Sequence, residues 1–151
     1  MSKRYVSFVL GTGRYCVPVD EVIQILRPDG ILPVPKAPPF VAGAITLRGD
    51  VIPVVNLTSR LSRDADSGTS ASRARIIIIR AGSRMCGLSV DEVREIVDID
   101  ETKIQEDPTG ALGTHADFIL GVAQQGQSLL AILDLPRVLS AGRNLQGASP
   151  V

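Results

Sequence analysis

Few residues in this chain could do bond-breaking chemistry. There is one histidine, His115, in a Gly/Thr-rich stretch. A Ser-His-Asp triad needs that imidazole beside a nucleophile and a carboxylate, and a His-rich metal site needs several such ligands. His115 is therefore read as a solvated loop residue. Cys16 and Cys86 lie in strand-like runs and read as small buried hydrophobes. Two cysteines are too few for a disulfide framework and fit a reduced compartment. Adjacent carboxylates occur twice, at Asp20-Glu21 and Asp91-Glu92. Sequence neighbours rarely face one another, and capping of a short helix accounts for both pairs. Gly11-Thr12-Gly13 lacks the third glycine and the long helix of a phosphate loop, so it reads as a turn. No catalytic residue, metal ligand or cofactor site is expected. The charge that stands out is Arg48, in Arg48-Gly49-Asp50 between two apolar runs. Its guanidinium can grip a partner's carboxylate through two parallel bonds, or cap carbonyls of its own lobe.

The elements that would carry Arg48 are strands. Phe40–Leu47 and Val51–Leu57 are β-prone and apolar, with a Gly-containing bend of three residues between them, so they read as a hairpin. Pro53 cannot donate to a ladder and is expected at a bulge or sheet edge. Tyr5–Leu10 and Arg14–Val19 form an earlier hairpin. Asp20–Leu26 reads as a capped short helix or, from Gln24 onward, an extended segment. Asp91–Val97 repeats that pattern. Ile31–Val34 suggests a brief strand before Pro35, Pro38 and Pro39. Ser62–Ser72 is small and polar and reads as a linker. Ile76–Ile79 is a continuous β-branched run, as expected of a strand buried on both faces at a seam. Residues 98–117 read mostly as loop. Phe118–Ala123 and Ser128–Leu133 form a last hairpin, and 135–139 a closing helical turn.

The bulk composition narrows the function classes. Hydrophobic residues are 44% and charged residues 21%, the profile of a globular chain. Net charge is +0 with no dense basic block, and aromatics are 3% with no Trp, which argues against a nucleic-acid binder. No apolar run approaches the roughly 20 residues of a membrane span, and no signal-peptide core follows Met1, so a cytoplasmic protein without direct membrane insertion is expected.

The chain also repeats itself. Arg14-Tyr15-Cys16 is echoed by Arg84-Met85-Cys86, Val19-Asp20-Glu21-Val22 by Val90-Asp91-Glu92-Val93, Phe40-x-x-Gly43 by Phe118-x-x-Gly121, and Asn56-Leu57 by Asp134-Leu135. The offset drifts only from 70 to 78. Two similar β-lobes are expected within one domain over 1–151: residues 5–61, then a linker and seam over 62–75, a second lobe over 76–139, and a loose tail over 140–151. Lobes this small need a shared interface to bury enough surface.

These residues carry a resemblance. From Tyr5 to Leu139 the chain resembles the chemotaxis coupling protein family CheW and the related regulatory domain of CheA histidine kinases. The most specific stretch is P-x-A-P-P-F-V-x-G-x-I-x-L-R-G-x-V-I-P-V-V-x-L over Pro35–Leu57, and it continues in G-L-x-V-D-E-V-x-E-I-V over Gly87–Val97. The resemblance implies a mainly all-β fold, two SH3-like five-stranded barrels with short helical segments, and no enzymatic activity. It implies an adaptor coupling the cytoplasmic hairpin tip of methyl-accepting chemoreceptors to the regulatory domain of a CheA-type kinase, at membrane-associated arrays. Self-association or binding to other CheW-like proteins is a further implied contact. The implied receptor groove lies between the lobes, at Val22, Gln24, Ile25, Arg48, Gly49, Val90, Val93 and Ile96. The resemblance does not single out the kinase and ring interface. The family pattern is broken at Thr46, Gln24, Asn56 and Thr58, and loss of a carboxylate at 56 would deprive Arg48 of a local partner. A specialised relative with weak or no kinase binding is therefore the alternative function. A kinase fragment, a small SH3-like nucleic-acid binder and a hydrolase relying on His115 are weaker ones.

Overall fold

The structure, a computed structural model, describes residues 2–57, 71–106 and 118–138. His115, Thr58, most of the polar linker and the tail over 140–151 lie outside them.

Ten strands follow one another: β1 Ser2–Leu10, β2 Gly13–Pro18, β3 Val22–Leu26, β4 Val41–Leu47, β5 Asp50–Asn56, β6 Arg75–Ala81, β7 Arg84–Val90, β8 Glu92–Asp100, β9 Ile119–Gln125 and β10 Ser128–Leu133. They form two five-stranded sheets. Sheet I has the order β8-β1-β2-β10-β9 and sheet II the order β3-β6-β7-β5-β4. Adding five to each strand number of sheet I, counted cyclically, reproduces sheet II, which is the repeat made visible. Each sheet has a single parallel pairing, β2 with β10 and β5 with β7.

The lobes do not follow the expected partition. Sheet II is contiguous, running from Val22 to Val90. It is inserted into sheet I, which takes β1–β2 from the start of the chain and β8–β10 from the end. The polar linker lies between two strands of the same sheet, β5 and β6, so the break in composition is not a lobe boundary. The chain changes sheets at the two Val-Asp-Glu-Val segments. Val19–Glu21 is a 3-10 turn in which Pro18, at the capping position, makes no side-chain cap. Asp91 makes the return crossing; its N–H donates to Val9 O (3.0 Å) and its Oδ2 accepts from Gly11 N–H (2.7 Å). Of the two readings of Asp20–Leu26 the helix fails and the extended one holds, as it does after Asp91, because the β-branched residues that follow pair as edge strands, β3 on β6 and β8 on β1.

Three cores result. Tyr5, Cys16, Val97, Ile99, Leu130 and Ile132 fill the sheet I barrel. Ile45, Ile52, Val54, Ile76 and Ile78 fill the sheet II barrel. The largest core lies between the sheets and includes Phe8, Tyr15 and Leu133 from one side and Val55, Ile77, Ile79 and Leu88 from the other. The isoleucine run thus alternates, Ile76 and Ile78 into one barrel and Ile77 and Ile79 into the seam. All four are 0% exposed.

The repeated motifs also make matching closures. Asn56 N–H donates to Phe40 O and Asp134 N–H to Phe118 O. Leu32 bridges Ala44, and Gln105 bridges Val122, each through two backbone bonds that close a barrel. The brief strand expected at 31–34 is only the Leu32 bridge. Of the loop expected over 98–117, residues 98–100 belong to β8, Glu101–Lys103 form a 3-10 turn and Gln105 makes a bridge, while 107–117 lie outside the described residues. Pro53 is neither on an edge nor bulged. It sits opposite Ala44, on the part of β5 beyond the β7 pairing, where no ladder donor is required.

Cys16 and Cys86 are free and buried, and burial pushes each thiol up to about 12. An unfolded thiol ionises near its ordinary 9.0, so the folded value is raised above the unfolded one. The stability tied to the neutral thiols is complete below that pH and is lost as pH climbs through the window up to about 12. The slope should approach about 1.4 kcal/mol per pH unit for each thiol. Tyr5, also raised by burial and then by Cys16, adds to it. Urea unfolding at stepped alkaline pH should show this decline, and the double variant Cys16→Ala/Cys86→Ala should flatten it. An unchanged slope in the double variant would reject the assignment.

Candidate partner-binding surface

Strand register decides which expected site residues meet. In sheet II, Val22 opposes Ile79, Arg80 opposes Met85, β5 runs parallel to β7, and Asp50 opposes Leu47. One end of the sheet therefore gathers the start of β3 at Val22, Arg80 and Arg84 of the β6–β7 hairpin, the start of β5 and the β4–β5 turn. That turn is Arg48-Gly49, two residues long, with φ of 54° and 87°. Positive φ at both central residues is the type I′ pattern, which matches strand twist, so the three-residue bend expected from sequence is one residue too long. Val51 follows the turn and is 71% exposed.

Sheet I has the same end, built from the starts of β8, β2 and β10. Its β9–β10 turn is Gly126-Gln127, and Gly126 has φ 62°. Leu129, in the place of Val51, is 64% exposed. An apolar residue left in water at the same point of both copies is a surface feature that aligning the two halves by their offset would have flagged.

The remaining expected residues divide by burial. Val90 is 2% exposed and belongs to the seam core, so it has no surface to offer a partner. Val22 and Val93 are partly buried against that same core. Gln24 is half-buried on β3, and Ile25 and Ile96 are exposed on β3 and β8. Val22, Val90 and Val93 therefore converge on the seam. Val22, Arg48 and Gly49 share one end of sheet II. Ile25 and Ile96 stand on edge strands of different sheets. Asn56 is at the opposite end of β5 from the Arg48 turn, beside Phe40 and Ser89, so a carboxylate there could not be the local partner of Arg48.

Two features of this surface escaped the sequence reading. Arg14 on β2 reaches Glu95 on β8 at 3.4 Å, across β1. Its Nε is buried without a partner. Glu95's own backbone N–H, and then Arg14, hold its carboxyl below the usual range. Glu92, at the return crossing, takes Arg94 at 3.1 Å and Arg73 at 3.6 Å. Arg14–Glu95 and Arg73–Glu92 link residues from distant parts of the chain, and no local spacing signals them. These pairs are solvent-facing, so each adds little stability. Among the described residues no set of three metal-binding side chains converges, and no helix is long and apolar enough to cross a membrane.

The CheW-like domain family matches residues 4–143. The chain belongs to the CheW family. It is 32% identical to the chemotaxis protein CheW of Rhizobium meliloti, over 90% of this chain and 86% of that protein. It is 30% identical to CheW of Treponema pallidum, over 90% of this chain and 81% of that protein. The crystal structure of the scaffolding protein TtCheW from Thermoanaerobacter tengcongensis superposes with a TM-score of 0.82 at 32% identity, covering 89% of this chain and 86% of that one. Two five-stranded SH3-like lobes are thus the CheW fold, here with sheet II as the inserted lobe.

Proposed function

We propose that this CheW-family chain is a non-enzymatic adaptor that couples chemoreceptors to a CheA-type histidine kinase in a cytoplasmic array at the membrane. The receptor's hairpin tip docks on a surface running from the Arg48 turn over Val22 to the exposed Ile25 and Ile96. The kinase's regulatory domain docks lobe-to-lobe. Family membership and the TtCheW likeness support the adaptor role.

The observation that carries the docking surface is the contrast between Arg48 and Gly126. Both occupy the left-handed region at the same turn position. Glycine adopts it freely, whereas a residue with a Cβ is strained there by roughly 1 kcal/mol. One copy takes the relaxed residue. The other keeps an exposed arginine at a cost in backbone strain, as expected where a side chain serves recognition.

Arg48→Gly should therefore raise the unfolding free energy by about 0.5–1 kcal/mol. Arg48→Gly and Arg48→Glu should both weaken binding of a receptor hairpin fragment, the latter by at least about tenfold. Titrations against that fragment and, separately, against the kinase regulatory domain check this. Unchanged receptor binding in Arg48→Glu would remove Arg48 from the receptor surface, and loss of kinase binding alone would reassign it to the kinase contact.

A further inference from the structure

Three consecutive residues of β8, Arg94, Glu95 and Ile96, are exposed. A regular strand cannot do this, because its side chains alternate between faces. The register explains it. Val6 on β1 opposes Ile96 and Phe8 opposes Val93, so the single residue Ser7 faces two residues, Arg94 and Glu95. This is a β-bulge, the device by which strands re-aim side chains.

Ser7 is itself out of place. It is the one buried polar residue among the described residues, at 0% exposure. Its Oγ donates to Glu95 O at 2.6 Å, taking up the carbonyl at the bulge. The matching bulge in sheet II puts Ile23 as the extra residue of β3, between pairs with Ile79 and Ile78 of β6. Isoleucines there supply no donor. The serine is thus particular to the β8 bulge, and the repeat does not explain it.

The structure assigns Ser7 as the positioning residue that fixes the β8 bulge and thereby presents Arg94, Glu95 and Ile96 to a docked receptor hairpin. The assignment rests on the reading of Ile96 as a receptor contact. Ser7 touches no partner. It acts by holding the Glu95 carbonyl, which sets where the strand kinks and which way Ile96 points. With the hydroxyl removed, the bulge can migrate along β8, and a shift of one residue would exchange the inner and outer faces.

The test uses the whole chain with Ser7→Ala, Ser7→Thr and Ile96→Ala, singly and with Ser7→Ala combined with Ile96→Ala. Backbone amide shifts and exchange over 94–96 report the bulge, and titration with a receptor hairpin fragment reports presentation. Ser7→Ala should move the amides of 94–96 and weaken binding about fivefold, the value of one such hydrogen bond. Ser7→Thr should stay within about twofold of the parent protein. In the Ile96→Ala background, Ser7→Ala should cost clearly less than in the parent protein, since part of its effect runs through Ile96. Unmoved amides in Ser7→Ala, or an equal loss in both backgrounds, would overturn the assignment. If Ile96→Ala by itself leaves binding intact, the receptor-contact reading fails, while the amides still decide whether Ser7 holds the bulge.

Discussion

Gly43→Ala is expected to destabilise the protein by at least about 3 kcal/mol, with Gly121→Ala close behind, a large share of a typical domain's stability. These glycines occupy the same repeat position and meet the same obstacle. A Cβ on Gly43 would collide with Leu32 O and Ile31 Cγ2. On Gly121 it would lie 2.7 Å from Gln105 O and 2.8 Å from Ile104 Cγ2. The carbonyls cannot retreat, because each accepts the N–H of Ala44 or Val122 in the bridge that closes its barrel. Gly43 adds a φ of 147°, which L side chains rarely adopt. Gly49→Ala is the control. Its φ is 87°, but a Cβ there meets nothing within 4 Å, so the cost should be only about 1 kcal/mol. Urea melts of the three variants compare them directly. A Gly43→Ala protein as stable as Gly49→Ala would mean the bridging segments are looser than described.

The second large effect concerns cutting the chain. Pieces separated within 58–70 should each fail to fold, and mixing them should restore the native protein. The first piece keeps β1–β2, whose partners β8 and β10 are on the other piece, and β3, which has lost β6. The second keeps β6–β7 without β3 and β5, and β8 without β1. The seam core is divided between them, with Phe8 and Val55 on one piece and Ile77 and Leu88 on the other. Each piece alone would leave large buried residues in water at about 1.5–3 kcal/mol apiece. Amide spectra of each piece, then of the mixture, test this. Dispersed resonances from either piece alone would show that a half of the repeat is a folding unit and that the sheet assignment is mistaken.

The sequence showed the strands better than their arrangement. Alternation and β-branching located the hairpins, and the matched Phe-x-x-Gly, Cys and Val-Asp-Glu-Val segments disclosed the repeat. The same segments misled about lobe boundaries. A polar stretch such as 62–72 is a visible break in hydropathy, whereas Val90-Asp91-Glu92 is not, yet it is there that the chain changes sheets. Strand pairing across the whole chain decides lobe membership, and no local window contains it. The site was legible in the same uneven way. Arg48 stood out as a charge among apolar neighbours. Val90 fell in the segment that the family resemblance assigns to the groove, but it is buried in the seam core. Ser7 and the β8 bulge left no local sign, since a small polar residue in a strand becomes informative only when its burial and its acceptor are known.

The insertion of sheet II into sheet I also sets a timetable. Emerging from a ribosome, the chain shows the β1–β2 hairpin first, but its sheet partners come from 92 onward and its parallel neighbour β10 only at 128–133. At about 5–20 residues per second, that hairpin waits several seconds or more for its sheet. Sheet II has all its strands once residue 90 is out, well before β10 has been made. The lobe begun first is the last one finished, and until then Phe8, Leu10 and Val17 have only the half-built seam to shelter them.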